Sequence, residues 1–297
     1  MIPPAWTDVW IGARRSGHLL ATGRDARGRK QYIYHPKFRA VREDAKYERL
    51  ADFALLLPKI RAAVSAHMSL RGLPREKVLA TIVHLLEMTL IRIGNADYAR
   101  QNKSYGLTTL RTPHVRIEGA ELRFEFKGKS GKVWRLRFRD RRIARVVRAC
   151  QELPGQQLFQ YIDEAGERRG VTSTDVNAYL REIAGCDVTA KDFRTWAGTV
   201  LAALALGEIG ISESETGARR SIGAAIRRVA ERLGNTPAIC RKCYVHPDIL
   251  EGYLSGLLVT PPGPAAGPDG GLAAEEAAVL AFLTRRSGPA VPASAAA

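Results

Sequence analysis

At 297 residues and 45% hydrophobic content, the chain can bury a substantial core and suits two domains better than one. Lys and Arg number 46 against 30 Asp and Glu, and the net charge of +16 points to a polyanionic partner, nucleic acid ahead of a membrane surface or a merely solvated basic face. No run approaches the roughly 18 apolar residues of a membrane span, MIPPAWTDVWIGARR lacks the pattern of an export signal, and four cysteines are too few for a disulfide framework; a cytoplasmic protein with reduced thiols is expected.

The amino-terminal residues 1–40 predict a small antiparallel β domain. Two alternating stretches, His18 to Thr22 and Lys30 to Tyr34, flank the turn-forming GRDARGRK. From Arg42 the apolar spacing becomes helical through Leu50, Phe53, Leu56 and Leu57, then through Val78, Ile82, Leu85 and Leu86, with Pro74 in the first turn of that second helix. Val115 to Phe138 returns to strands. Leu122, Phe124 and Phe126 face one way and Glu121, Arg123 and Glu125 the other, answered by Trp134, Leu136 and Phe138 on the next strand. The GKSGK between them, residues 128–132, suits a hairpin tip with Lys129 at its exposed end. Helices are expected from there to Leu254. The fold class is therefore α+β, a β domain followed by a mainly helical domain over 41–258 that holds a small three-stranded antiparallel sheet. PPGPAAGPDGG predicts a flexible linker at 259–271, and residues 272–297 a short amphipathic helix at Glu275 to Arg286 with a disordered tail.

Arg111 to Arg148 holds 13 Lys or Arg against 4 Asp or Glu, so over half the excess charge falls in one segment. Arg135, Arg137 and Arg139 alternate with apolar neighbours and so point to one face of the sheet, where they could track phosphates. There is no GxxxxGK[ST] loop for an ATP motor and no closely spaced carboxylate set for a two-metal nuclease. Cys240 and Cys243 form a lone CxxC, short of the roughly four ligands that zinc needs. Neither metal nor cofactor is expected, which leaves metal-free phosphoryl transfer. That chemistry requires cations around the phosphorane, a nucleophile and a proton donor for the leaving oxygen.

Arg92 in IRIGN, Lys129 in FKGKSGK, Arg194 in KDFRTW, Asn235 in LGNTP and Tyr244 in CRKCYVHP, with the string NKSYGLTTLRTPHV, stand in an order that resembles the poxvirus-like and bacterial type IB DNA topoisomerases. The resemblance runs from Ile2 to Leu254. It implies the catalytic fold shared with eukaryotic-type topoisomerase I and the tyrosine recombinases, and relaxation of supercoiled double-stranded DNA by a monomer without ATP or metal. It also implies the roles. Tyr244 would attack the scissile phosphate to give a 3′-phosphotyrosyl bond, Arg92 and Arg194 would clamp the nonbridging oxygens through their planar forks, and Lys129 would protonate the 5′-oxygen. Asn235 stands where many relatives carry histidine and cannot titrate near neutral pH. Gln31, Tyr32 and Tyr34 in GRKQYIY match a family segment that touches the major groove, where Gln can pair with adenine; Tyr98 is a further DNA contact by the same resemblance. Family members carry a few dozen residues before IPPAW. An incomplete amino-terminal cap and weaker noncovalent DNA binding are expected here.

A tyrosine recombinase shares the Arg, Lys, Arg, Tyr set but places histidine three residues before the second arginine, where this chain has Lys191, a further expected DNA contact. A noncatalytic DNA-binding protein would account for the charge but not for the ordered set.

Overall fold

The structure, a computed structural model, describes residues 2–26, 28–258 and 271–287. Apart from Gly271, the expected linker lies outside the described residues, as does the expected tail after Ser287. The chain divides into two compact units between Leu50 and Ala51.

The first unit is a three-stranded antiparallel sheet in the order β1 (Thr7–Ile11), β2 (Leu19–Arg24) and β3 (Lys30–Tyr34). β1 is not among the predicted strands, and its burial explains why: all five residues are exposed, so no alternation marks it. Gly23 lets Trp6 lie directly against β2, since a Cβ there would stand 2.6 Å from the indole. The turn between β2 and β3 is organised by Asp25, whose carboxylate accepts from the Arg29 amide at 3.0 Å and from Gln31 Nε2 at 2.9 Å. Tyr32 and Tyr34 stack on one face with ring centroids 6.1 Å apart. α1 (Pro36–Met68) follows, starting ahead of the predicted Arg42 because proline's fixed φ suits a first helical position.

The second unit is built around α2 (Arg75–Thr89), in which Val78, Leu79, Ile82, Leu85 and Leu86 are fully buried. Each such side chain contributes about 1.5–3 kcal/mol of burial. Pro74 is the residue just before this helix rather than part of its first turn. After α3 (Ala96–Asn102) comes a second antiparallel sheet, β4 (Val115–Glu118), β5 (Glu121–Lys127) and β6 (Val133–Arg139). Leu122, Phe124 and Phe126 are buried as predicted, opposite Phe138, Leu136 and Trp134. On the outer face Arg123, Arg135 and Arg137 pair with Glu121, Glu125 and Glu121 at 2.6, 3.0 and 2.8 Å. The cation row expected to track phosphates is thus interleaved with carboxylates, and Arg137 and Arg123 hold the Glu121 carboxyl below its ordinary range.

α4 (Arg141–Glu152) is capped by Asp140. The hairpin β7 (Gln160–Ile162) and β8 (Arg168–Gly170) then interrupts what the sequence predicts as continuous helix; three-residue strands, one of them wholly exposed, carry no usable periodicity. The rest is helical: α5 (Ser173–Ala184), α6 (Ala190–Ile209), α7 (Glu215–Leu233), α8 (Pro237–Cys243), α9 (Pro247–Leu254) and α10 (Ala274–Ser287). α6 packs against α2, α5, α7, α9 and α10, so one helix touches most of the second unit.

Candidate active site

α2 ends at Leu90, whose left-handed φ of 57° turns the chain out of the helix and into the segment carrying Arg92. That segment is pinned by the string that follows α3: the Leu107 amide donates to the Arg92 carbonyl at 2.9 Å and the Thr108 amide to the Ile93 carbonyl at 2.7 Å. Gly106 is required for this approach, because a Cβ there would collide with the Arg92 carbonyl and stand 2.6 Å from the Gly94 nitrogen. The Arg92 guanidinium then reaches the turn after α7, donating from Nη1 to the Gly234 carbonyl at 3.3 Å and from Nη2 to Asn235 Oδ1.

Arg194 lies in α6 and is only 3% exposed. Its Nη1 donates to the Leu90 carbonyl and its Nη2 to the Leu233 carbonyl at 2.8 Å. These are the carbonyls that α2 and α7 leave unpaired at their ends, where a cation is favoured. Burial and the neighbouring Arg92 pull the Arg194 guanidinium down to about 10, while Tyr244 opposes them. Its Nε is buried with no hydrogen-bond partner, while the Asn235 side chain is directed at the Cys240 thiol.

Tyr244 is the residue at which α8 ends, its amide donating to the Cys240 carbonyl at 2.9 Å. The Arg194 guanidinium carbon lies 5.2 Å from the Tyr244 ring centroid. Gly198, one turn beyond Arg194 in α6, admits the Tyr244 backbone, because a Cβ there would collide with the Tyr244 carbonyl oxygen. Cys240 is buried behind this group, and burial pushes its thiol up against the pull of Asn235, Arg194 and Arg92.

Lys129 sits exposed at the tip of the β5–β6 hairpin, as expected. The hairpin docks on the end of α7, where Lys132 Nζ donates to the Glu231 carbonyl at 2.9 Å and Gly234 lies against Trp134. Arg92, Tyr98, Lys129, Lys191, Arg194 and Tyr244 together line a cleft of about 400 Å³. Asn235 stands behind it, bonded to Arg92. Gln31, Tyr32 and Tyr34 lie on β3 of the first unit. Cavities of about 520 and 480 Å³ also lie in the second unit, but neither contains Arg92, Lys129, Arg194 or Tyr244, so chemistry rather than volume singles out the site. Sequence reasoning missed Gly198, although a glycine in a helix interior, which costs about 1 kcal/mol relative to alanine, is itself a sign of close packing. It also missed the Leu90 and Leu233 carbonyls, for which no side-chain signal exists.

The family described as the catalytic core of eukaryotic DNA topoisomerase I matches residues 35–255, and the amino-terminal domain of bacterial DNA topoisomerase IB matches residues 1–25. The chain is 34% identical over 263 residues to DNA topoisomerase 1B of Acanthamoeba polyphaga mimivirus, covering 85% of this chain and 77% of the relative. The chain belongs to the type IB DNA topoisomerases. DNA topoisomerase 1B of Vaccinia virus (strain Copenhagen) is 25% identical to this topoisomerase over 238 residues, covering 78% of this chain and 72% of the viral one. DNA topoisomerase 1 of Rabbit fibroma virus (strain Kasza) is 22% identical over 268 residues, 86% and 79% of the two chains. The family acts on DNA, and its match spans every residue lining the cleft. Among the described residues of this topoisomerase, no helix is long and apolar enough to cross a membrane.

Proposed function

We propose that Tyr244 is the nucleophile of this topoisomerase. Its phenolic oxygen gives up its proton to water and attacks the scissile phosphorus, a 3′-phosphotyrosyl bond forms, and the bond to the 5′-oxygen breaks. Lys129 supplies the proton that the leaving oxygen needs, from the tip of a hairpin that reaches the cleft. Religation reverses each step, with the 5′-hydroxyl as nucleophile, so the phosphodiester energy is conserved and ATP is not consumed. Arg92 and Arg194 neutralise the nonbridging oxygens, and their charge takes the place a metal would otherwise fill.

The observation that carries this reading is the buried Arg194 guanidinium beside the Tyr244 ring, whose Nε has no acceptor, in the cleft that Arg92 and Lys129 also line. A buried unsatisfied donor costs about 1–3 kcal/mol, and a phosphate oxygen in the cleft would relieve it. The desolvated Arg194 with Arg92 beside it calls for an anion for the same reason. Tyr98 and Lys191 line the same cleft and are assigned to the DNA backbone. Gln31, Tyr32 and Tyr34 are assigned to the major groove; Gln31 Nε2 is held by Asp25, so a base must displace that bond or use the free amide oxygen. The α+β arrangement, a β domain before a helical domain carrying Arg, Lys, Arg and Tyr, supports the fold shared with tyrosine recombinases. Action as a monomer in the cytoplasm, on the nucleoid, completes the reading.

Relaxation of negatively supercoiled plasmid in EDTA without ATP tests it. The parent chain should relax the plasmid over a window of salt concentration, since phosphate contacts weaken steeply with salt, and Tyr244→Phe should not. Relaxation that requires a divalent metal, or that survives Tyr244→Phe, contradicts the proposal.

A further inference from the structure

α10 lies beyond the residues matched by the catalytic-core family, yet it is bolted to the elements that hold Arg194. Val279, Phe282 and Leu283 are buried. Glu276 is the centre of the attachment. Its two oxygens accept from Arg61 Nη1 and Nη2 at 2.9 Å each, from Trp196 Nε1 at 3.0 Å and from the Ala273 amide at 3.0 Å. Arg61 in turn donates from Nε to Glu87 at 2.7 Å.

Trp196 stands two residues after Arg194 on α6, on the opposite side of the helix from it. Glu87 stands one turn before Leu90 on α2, and the Leu90 carbonyl is one of the two acceptors of Arg194. One carboxylate therefore fixes both the helix from which Arg194 projects and the helix end to which it donates. Farther along α10, Phe282 fills the space that a Cβ on Gly252 would need, and Arg286 lies 3.6 Å from both Asp248 and Glu251; all three partners are on α9, just after Tyr244. Burial pushes the Glu276 carboxyl up, but Arg61, the Ala273 amide and Trp196 hold it below its ordinary range. It is a fully engaged anion rather than a spare surface acid.

We propose that Glu276 is a positioning residue for DNA cleavage, setting the placement of Arg194 against Tyr244 through Trp196 on α6 and, by way of Arg61 on α1, through Glu87 on α2. The inference rests on the assignment of those two residues to the reaction.

The test uses the full chain as parent, Glu276→Gln and Glu276→Ala. The rate of covalent capture is measured at saturating duplex DNA well below each melting temperature, and noncovalent affinity in a Tyr244→Phe background. Glu276→Gln keeps the volume and an acceptor for Trp196 but loses the ion pair with Arg61, so it remains informative if Glu276→Ala does not fold. The expected result is a cleavage rate reduced about tenfold in Glu276→Gln and further in Glu276→Ala, with affinity for DNA changed less than about twofold, as for a misplaced reacting group rather than a lost contact. A lowered melting temperature with cleavage at the parental rate in Glu276→Gln overturns the proposal and leaves α10 a stabilising element. Absence of capture by the parent itself removes the Tyr244 assignment first, and this inference with it.

Discussion

Arg194 organises the site at the scale of single residues. A guanidinium withdrawn from water is tolerated only with acceptors around it, and here two helix-end carbonyls provide them while Nε has none. Tyr244 can approach because position 198 has no side chain. Gly198→Ala should therefore destabilise the fold by about 1–3 kcal/mol, the usual cost of overpacking, in denaturant unfolding, and should also slow covalent capture. A variant as stable and as active as the parent would remove this contact from the account. Asn235 accepts from Arg92 but does not titrate, so the pH profile of the cleavage rate should carry no limb near pH 6.5 from this position. Loss of such a limb in Asn235→Ala would contradict that. Of these residues Arg92, Lys129, Arg194, Asn235 and Tyr244 are legible in the sequence because their side chains stand in recognisable strings. Gly198 and the Leu90 and Leu233 carbonyls are not, because their roles arise from backbone approaches between helices far apart in the chain.

Among elements, the ends matter more than the middles. α2 and α7 each stop with their last carbonyls aimed at Arg194, and α8 stops at Tyr244. The β5–β6 hairpin is tied to the same place, since Gly234 closes α7 with a φ of 63° and a Cβ there would stand 2.6 Å from the Trp134 ring. Gly234→Ala should thus combine left-handed strain with a clash at the joint between Arg92, Asn235 and the Lys129 hairpin. A loss of about 1–3 kcal/mol is expected from the backbone alone, with the melting temperature as the readout; an unchanged melting temperature would mean that the hairpin is not seated on α7. The alternation of β5 was legible because one face is buried, and α2 because its apolar stripe is long. β1 and the β7–β8 hairpin were not, since exposed or three-residue strands bury too little to pattern their sequence. The ion-paired outer face of β5 and β6 also differs from the bare cation row that composition suggests; cross-strand register places Glu121 and Glu125 opposite Arg139 and Arg135, which charge counting along the chain does not reveal.

For the molecule as a whole, the net charge of +16 points to a polyanionic partner, and the family match states that it is DNA and which reaction class applies. The distribution of charge then divides the work: ion-paired arginines on the sheet face, and Arg92, Lys129, Lys191 and Arg194 in the cleft that Tyr244 also lines. On the proposed assignment that cleft would hold a phosphodiester in a reactive position, which a purely architectural DNA-binding protein has no need to do. The most direct measurement is denaturing-gel detection of a covalent adduct with duplex DNA labelled at the 5′ end of the cleaved strand, followed by peptide mapping. The account predicts that the labelled strand is retained by the protein through its 3′-phosphate on the peptide containing Tyr244, and that Tyr244→Phe binds the same duplex but retains none. Label retained on another residue, or attachment through the 5′ side of the break, would contradict it.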